Sequence, residues 1–189
     1  MKTLAKTLFL ALPLTLAPLA QAQQRTFTVN PAASQIDFSL GGNAHSVHGI
    51  FHVQSGSVEF NPTAKTISGS VLVEAASGDS GEKSRDKKMD STVLETDKFA
   101  EISFAPKSYT GSLSDTGDST IQVSGVFTLH GTAHDITVPM QIHMEGGNVT
   151  AKGQFTVPYV KWGLKDPSIF ILKVAKEVGI DLTLVGKVS

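Results

Sequence analysis

Apolar and polar residues take turns along most of this chain. Ile36, Phe38 and Leu40 alternate with Gln35, Asp37 and Ser39, and Val47, Gly49, Phe51 and Val53 follow. The same two-residue period carries Ile67 to Val73, Ile102 and Phe104, and Ile121 to Leu129. It returns in Ile136 to Met144, Val149 to Val157 and Ile180 to Val188. A period of two is that of a strand with one buried and one wet face. Turn residues separate the runs: Asn30-Pro31, Gly41-Gly42-Asn43, Asn61-Pro62, Asp115 to Asp118 and Gly146-Gly147-Asn148. Short connections of this kind make antiparallel neighbours. The pattern therefore predicts an all-β chain of about eight antiparallel strands, in a sandwich or a closed barrel.

Two segments depart from the alternation. Gly81 to Leu94 is charged and suits a helix, with Asp79 as its cap, Glu82 completing a capping box, and Met89 and Val93 on one face. Asp166-Pro167-Ser168-Ile169 suits the start of a second short helix reaching about Lys176, with Pro167 at its first position.

Five glycines, Gly49, Gly69, Gly125, Gly153 and Gly186, share the parity of the apolar positions. They can serve tight strand coiling, or they can help open an interior cavity, and the two readings are compatible. A closed eight-stranded barrel holds one small ligand. The wall of such a cavity would be Phe38, Phe51, Val71, Val73, Phe104, Val123, Phe127, Met140, Ile142, Phe155 and Leu182. With almost no charge of that parity, the cavity would take an apolar ligand.

The N-terminus adds a different signal. Lys2 and Lys6 precede an apolar run from Leu8 to Leu19, which ends in Ala20-Gln21-Ala22. The run is shorter than the roughly 20 residues of a membrane span, and its flanks are those of a secretory signal peptide. The expectation is a leader over 1–22, cleavage before Gln23, a periplasmic location and one domain over 23–189. Losing two lysines takes the formal charge from −1 to −3, which argues against nucleic-acid binding. No second apolar run is long enough for stable membrane insertion. There is no cysteine, which removes disulfides, thiolate metal sites and a Cys nucleophile.

Other chemistry is weakly represented. His45, His48 and His52 have helical ligand spacing, but the segment reads as a strand, where only His48 and His52 share a face, the polar one. A metal needs three or four converging donors, so no metal site is expected. His130 and His134 flank a turn and are expected to fix it by hydrogen bonding. No Gly-x-Ser-x-Gly elbow occurs, and catalysis is not expected. Lys83, Arg85, Lys87 and Lys88 are balanced by Glu82, Asp86 and Asp90. That segment reads as a solvated helix face, or as a lid whose Arg85, Met89 and Val93 meet a ligand at the barrel mouth.

Several motifs in order resemble the YceI-like family of lipocalin-like, polyisoprenoid-binding bacterial proteins. They are Phe27-Thr28-Val29-Asn30-Pro31, Val47-His48-Gly49-Ile50-Phe51, Arg85-Asp86-Lys87-Lys88-Met89, Lys98-Phe99-Ala100-Glu101-Ile102-Ser103-Phe104 and Gly125-Val126-Phe127-Thr128-Leu129-His130-Gly131-Thr132. Lys88 and Ala100 depart from the family's usual His and Pro, and Lys161-Trp162-Gly163-Leu164 replaces an Arg-x-Asp/Glu-Phe-Gly-like motif. The resemblance implies a lipocalin-like eight-stranded antiparallel barrel with one or two short helices, and suggests a homodimer. It implies non-catalytic carriage of a polyprenyl or quinone lipid, with no other cofactor. The alternative from a different class is an enzyme or stress-response factor using the same pocket.

Overall fold

The computed structural model describes residues 24–43 and 45–189; the expected leader over 1–22 lies outside them. Ten strand segments form one antiparallel sheet: β1 (Arg25–Val29), β2 (Gln35–Leu40), β3 (Val47–Phe51), β4 (Val53–Asn61), β5 (Thr66–Glu74), β6 (Glu101–Gly111), β7 (Gly117–Leu129), β8 (Thr132–Glu145), β9 (Asn148–Val157) and β10 (Val178–Val188). The order is β1-β4-β5-β6-β7-β8-β9-β10-β2-β3, and β1 also pairs with β10. That last pairing, from Phe27↔Val188 to Val29↔Gly186, closes an eight-stranded barrel. The two extra segments are continuations. β2 resumes the path of β1 after a short 3-10 turn at Pro31–Ala33, and β3 runs into β4 across His52. Thus β10 pairs with β1 through its last residues and with β2 through Gly179 to Thr183.

Local chemistry explains the connections. His130 and Gly131 join β7 to β8 with φ of 51° and 71°, and Gly146 and Gly147 join β8 to β9 with φ of 54° and 80°. Two successive positive φ values define the hairpin turn whose twist matches its strands. Between β4 and β5 the buried Asn61 side chain accepts from the Thr63 and Ala64 amides at 3.0 and 2.8 Å, a side-chain turn. Pro106 sits within β6 where the register slips against β7, a place where a missing amide is tolerated.

The charged segment between β5 and β6 is helical. α1 (Lys83–Lys88) passes directly into a wider π-helical turn over Met89–Leu94. The cap is Glu82 itself, whose carboxylate accepts from the Ser84 and Arg85 amides at 3.1 and 2.9 Å. Asp79, expected as the cap, instead accepts from the Gly81 amide at 2.7 Å.

The second expected helix, Asp166 to about Lys176, does not form; the segment is an extended loop with one turn. Asp166 does accept from the Ser168 amide at 2.9 Å, as a cap would. The backbone beyond it is captured from elsewhere. Asn43 N–H donates to the Lys173 carbonyl at 3.0 Å and Ala175 N–H to the Gly41 carbonyl at 2.7 Å. Those bonds use groups that a helix would need for its own ladder.

Candidate functional site

The inner face of the barrel surrounds a cavity of about 600 Å³, within the range of small-molecule sites. Its lining runs from Phe27, Leu113, Met144 and Val188 at the end with the short turns to Met89, Ile169 and Leu172 at the other. The cavity therefore extends along the barrel axis. All eleven residues expected to form the wall border it: Phe38, Phe51, Val71, Val73, Phe104, Val123, Phe127, Met140, Ile142, Phe155 and Leu182. The period-two reading worked here because inward parity and lumen contact coincide in a barrel.

An ion pair stands at the short-turn end. The Arg25 guanidinium lies 5.6 Å from the Phe60 ring centre and is paired with Asp115 from the β6–β7 loop. Across the opposite end lie the helical segment and the loop before β10. Arg85, Met89 and Val93 all border the cavity there. No Asp or Glu does so among the described residues, whereas Arg85, Lys88, Lys173, His45 and Asn43 all stand at this end. The lumen is thus apolar with a rim of donors and positive charge.

Arg85 borders the mouth as expected, and part of its guanidinium is already engaged within the protein. Its Nε donates to Ser80 Oγ at 2.7 Å and its Nη2 to the Ser80 carbonyl at 2.9 Å. Ser80 in turn is held by Asp86 through its amide at 2.9 Å and its hydroxyl. Arg85 is therefore a brace for the chain entering α1. Lys88 donates to the Pro167 carbonyl at 2.8 Å and ties α1 to the neighbouring loop. Tyr159 fastens the same loop by donating to the Ala175 carbonyl at 2.8 Å. Burial, with Asp166 nearby, pushes its hydroxyl up to about 12, so it remains a donor.

The other end of the helical segment is pinned to the barrel. Glu95, in the left-handed region at φ 48°, accepts from Lys98 at 2.5 Å and pairs with His130 Nε2 at 2.9 Å. His130 also lies 4.1 Å from the Phe99 ring. It links its hairpin to the end of the helical segment, where sequence reasoning expected it to fix only the turn. Hydrogen bonds from Lys98 and then His130 hold the Glu95 carboxyl below its ordinary 4.5. A depressed carboxyl stabilises fully above its unfolded value and loses that contribution as pH falls through its folded value. Hydrogen-exchange protection of residues 89–99, corrected for intrinsic rate, should therefore drop between about pH 6 and about pH 3 while β7 and β8 stay protected. Glu95→Gln should show the weaker protection at both pH values. Equal protection of the native segment at both would remove this role.

The inward glycines resolve into close approaches. None of the five borders the lumen. A methyl group at Gly49 would lie 2.5 Å from the Phe38 ring, at Gly186 2.7 Å from Phe27, and at Gly153 2.5 Å from Met140 Sδ. At Gly49, Gly69, Gly125 and Gly186 the nearest obstacle is a backbone oxygen, at 2.1 to 2.4 Å, and only at Gly153 does a side chain come first, so four of the five serve close backbone approach and strand coiling. Sequence reasoning missed the rim residues Asn43, His45, Ser80 and Lys173, which come from loops without a period. It also missed Phe27, Phe60 and Tyr109, although Phe27 and Phe60 alternate with polar neighbours within β1 and β4.

Among the described residues no three His, Asp or Glu side chains converge as metal donors. His48 and His52 are exposed. His134 stacks on Trp162 at 3.8 Å and 7°.

A family model described as the YceI-like domain matches residues 27–186. Solved structures share the fold. BcnA of Burkholderia cenocepacia aligns at a TM-score of 0.69 and 22% identity over 84% of this chain and 99% of its own. A polyisoprenoid-binding domain of Saccharophagus degradans, implicated in plant cell wall breakdown, aligns at 0.65 and 14% over 86% and 98%. The YceI protein of Campylobacter jejuni aligns at 0.59 and 11% over 99% and 98%. No curated protein matches this chain.

Proposed function

This chain belongs to the YceI-like family, and from that membership and its long apolar lumen we propose that it binds and carries a single isoprenoid-type lipid. The observation that carries the reading is the division of the cavity into an apolar shaft and a rim where Arg85, Lys88 and Lys173 border the space and no Asp or Glu does, among the described residues. Each methylene moved from water into such a shaft contributes roughly 0.8 kcal/mol, offset in part by ordering the chain. A headgroup inside the shaft would lose water without compensation. The polar end therefore rests at the rim, near Lys173 and the donors around α1. Phosphate or quinone oxygens both suit those donors. The name of the Saccharophagus domain supports the same ligand class.

Transport by burial asks for no chemistry, and the proposed role is non-catalytic, with no metal and no cofactor beyond the lipid. The N-terminal pattern of residues 1–22 supports export, so the proposed place of work is the periplasm. Organic extraction of the purified protein followed by mass spectrometry tests the reading. A stoichiometric polyprenyl or quinone species is the expected result. Protein that is reproducibly empty, and stays empty after incubation with such lipids, would overturn it.

A further inference from the structure

The loop before β10 has an unusual surface. Ile169, Phe170, Ile171 and Leu172 are four consecutive large apolar residues, and all are exposed, Phe170 at 96% and Ile171 at 76%. They form a held tip. The Ile169 amide donates to the Leu172 carbonyl at 2.9 Å, closing a turn. The Asn43 side chain bonds the Ile171 carbonyl at 3.1 Å and the Lys173 amide at 3.1 Å. The Val174 amide donates to Ser168 Oγ at 3.1 Å. Lys88 and Tyr159 fasten the base from either side. The fold thus fixes an apolar point that nothing among the described residues covers.

Two further observations say what covers it. Ile169 and Leu172 are exposed and also border the lumen, so the tip is continuous with the rim of the shaft. Exposed Lys161, Lys165, Lys173 and Lys176 occupy the same segment, against Asp166 and, just beyond, Glu177. Lys173 and Lys176 are close enough to Asp166 to lower its carboxyl, after the bonds from Ser168. This local excess of positive charge stands in a chain whose formal net charge is −1.

We propose that the Ile169–Leu172 tip docks the rim of the barrel onto an anionic lipid bilayer, with Phe170 and Ile171 among the acyl chains and the flanking lysines at the phosphates. Apolar side chains beneath a cationic ring are the arrangement by which peripheral elements lie in a membrane interface. A second copy of this chain fits less well. A stable protein contact buries about 800 Å² on each partner, more than a four-residue turn offers, and a two-fold contact would bring two copies of the same cationic segment together. The proposal rests on the lipid-carrier reading and adds its consequence: cargo would pass between bilayer and shaft without crossing water.

Flotation with vesicles tests it. Protein should float with phosphatidylethanolamine vesicles containing phosphatidylglycerol, less with pure phosphatidylcholine, and less in high salt. The double variant Phe170→Ser, Ile171→Ser should bind at least about tenfold more weakly yet keep native circular dichroism and native lipid content on extraction. Phe170→Trp should still float and show a blue-shifted emission on adding vesicles. Absence of flotation by the native protein, equal flotation by the double variant, or no emission shift would overturn the proposal. So would a native dimer that the double variant turns into a monomer with no vesicle binding by either. Protein that floats but never contains lipid would keep the docking site and remove the carrier reading; the reverse result would do the opposite.

Discussion

Gly153→Leu should give a folded barrel with little or no lipid, whereas Gly125→Leu should give a barrel that melts well below the native one. Both glycines lie on inward-facing parity in central strands. The difference is what a side chain would strike. At Gly125 a methyl carbon would lie 2.4 Å from the Ala105 carbonyl oxygen and 2.8 Å from Pro106 Cα. Backbone in a paired strand cannot retreat without breaking the β6–β7 ladder. Overpacking costs about 1–3 kcal/mol, and a collision with backbone belongs at the upper end. For a chain of this size about 3 kcal/mol lowers Tm by roughly 6–12 °C. At Gly153 the first obstacle is Met140 Sδ at 2.5 Å, followed by a methyl of Val138 at 3.1 Å. Methionine has three rotatable bonds and fills irregular space. It can swing off the wall, and the room it takes is lumen. Thermal melts and extracted lipid, measured on both variants, separate the outcomes. A Gly153→Leu protein with full lipid load would show that Met140 does not border the ligand's path.

Met89→Asp should release the lipid from an otherwise native barrel. The Met89 methyl lies where a side chain at Gly78 would be, 2.4 Å from that ideal Cβ position, and beside the Phe51 ring. It packs with Val93, Leu94, Leu129 and Val157 at the covered end of the lumen. A carboxylate there either loses its water in an apolar site or drags the segment outward to keep it. Unpaired burial of a charge costs far more than one turn of helix can supply. The opened lid is therefore the cheaper outcome, and lipid retention should fall by at least about tenfold. Arg85→Ala should have a smaller effect that does not depend on salt, because part of the Arg85 guanidinium is already engaged in bracing Ser80. A Met89→Asp protein that folds and keeps its full load would show that this segment does not cover the ligand. A strongly salt-dependent loss in Arg85→Ala would restore the headgroup role.

The wall of the lumen was legible in the sequence and most of its rim was not. Strand alternation is a local property, and in a closed barrel it maps directly onto inside and outside. Phe38, Val123 and Phe155 could thus be placed without knowing their neighbours. The rim depends on partners far apart in sequence. Asp166-Pro167 is a sound local signal for a helix, yet Gly41 to Asn43, more than 120 residues earlier, takes the backbone bonds that would have extended it. Arg85 looked available because nothing in its spacing shows that Ser80 folds back onto it. The expected count of about eight strands agrees with eight positions around the barrel. The ten segments arise because Pro31 and His52 interrupt two of them.

The pairing of β10 sets a timetable for the chain as it is made. This strand joins β9 on one side and both β1 and β2 on the other, and Ser189 exchanges backbone bonds with Thr26 at 2.9 and 3.0 Å. The ribosome delivers residues 178–188 after every other strand of the barrel. Until then β9 and the β1–β2 ribbon are raw edges, and the walls have no seam. Contacts spanning some 160 residues are slow to form, because the loop must close before they repay it. The barrel therefore cannot close until residues 178–188 have been made, and its closure waits on the pairing of widest sequence separation.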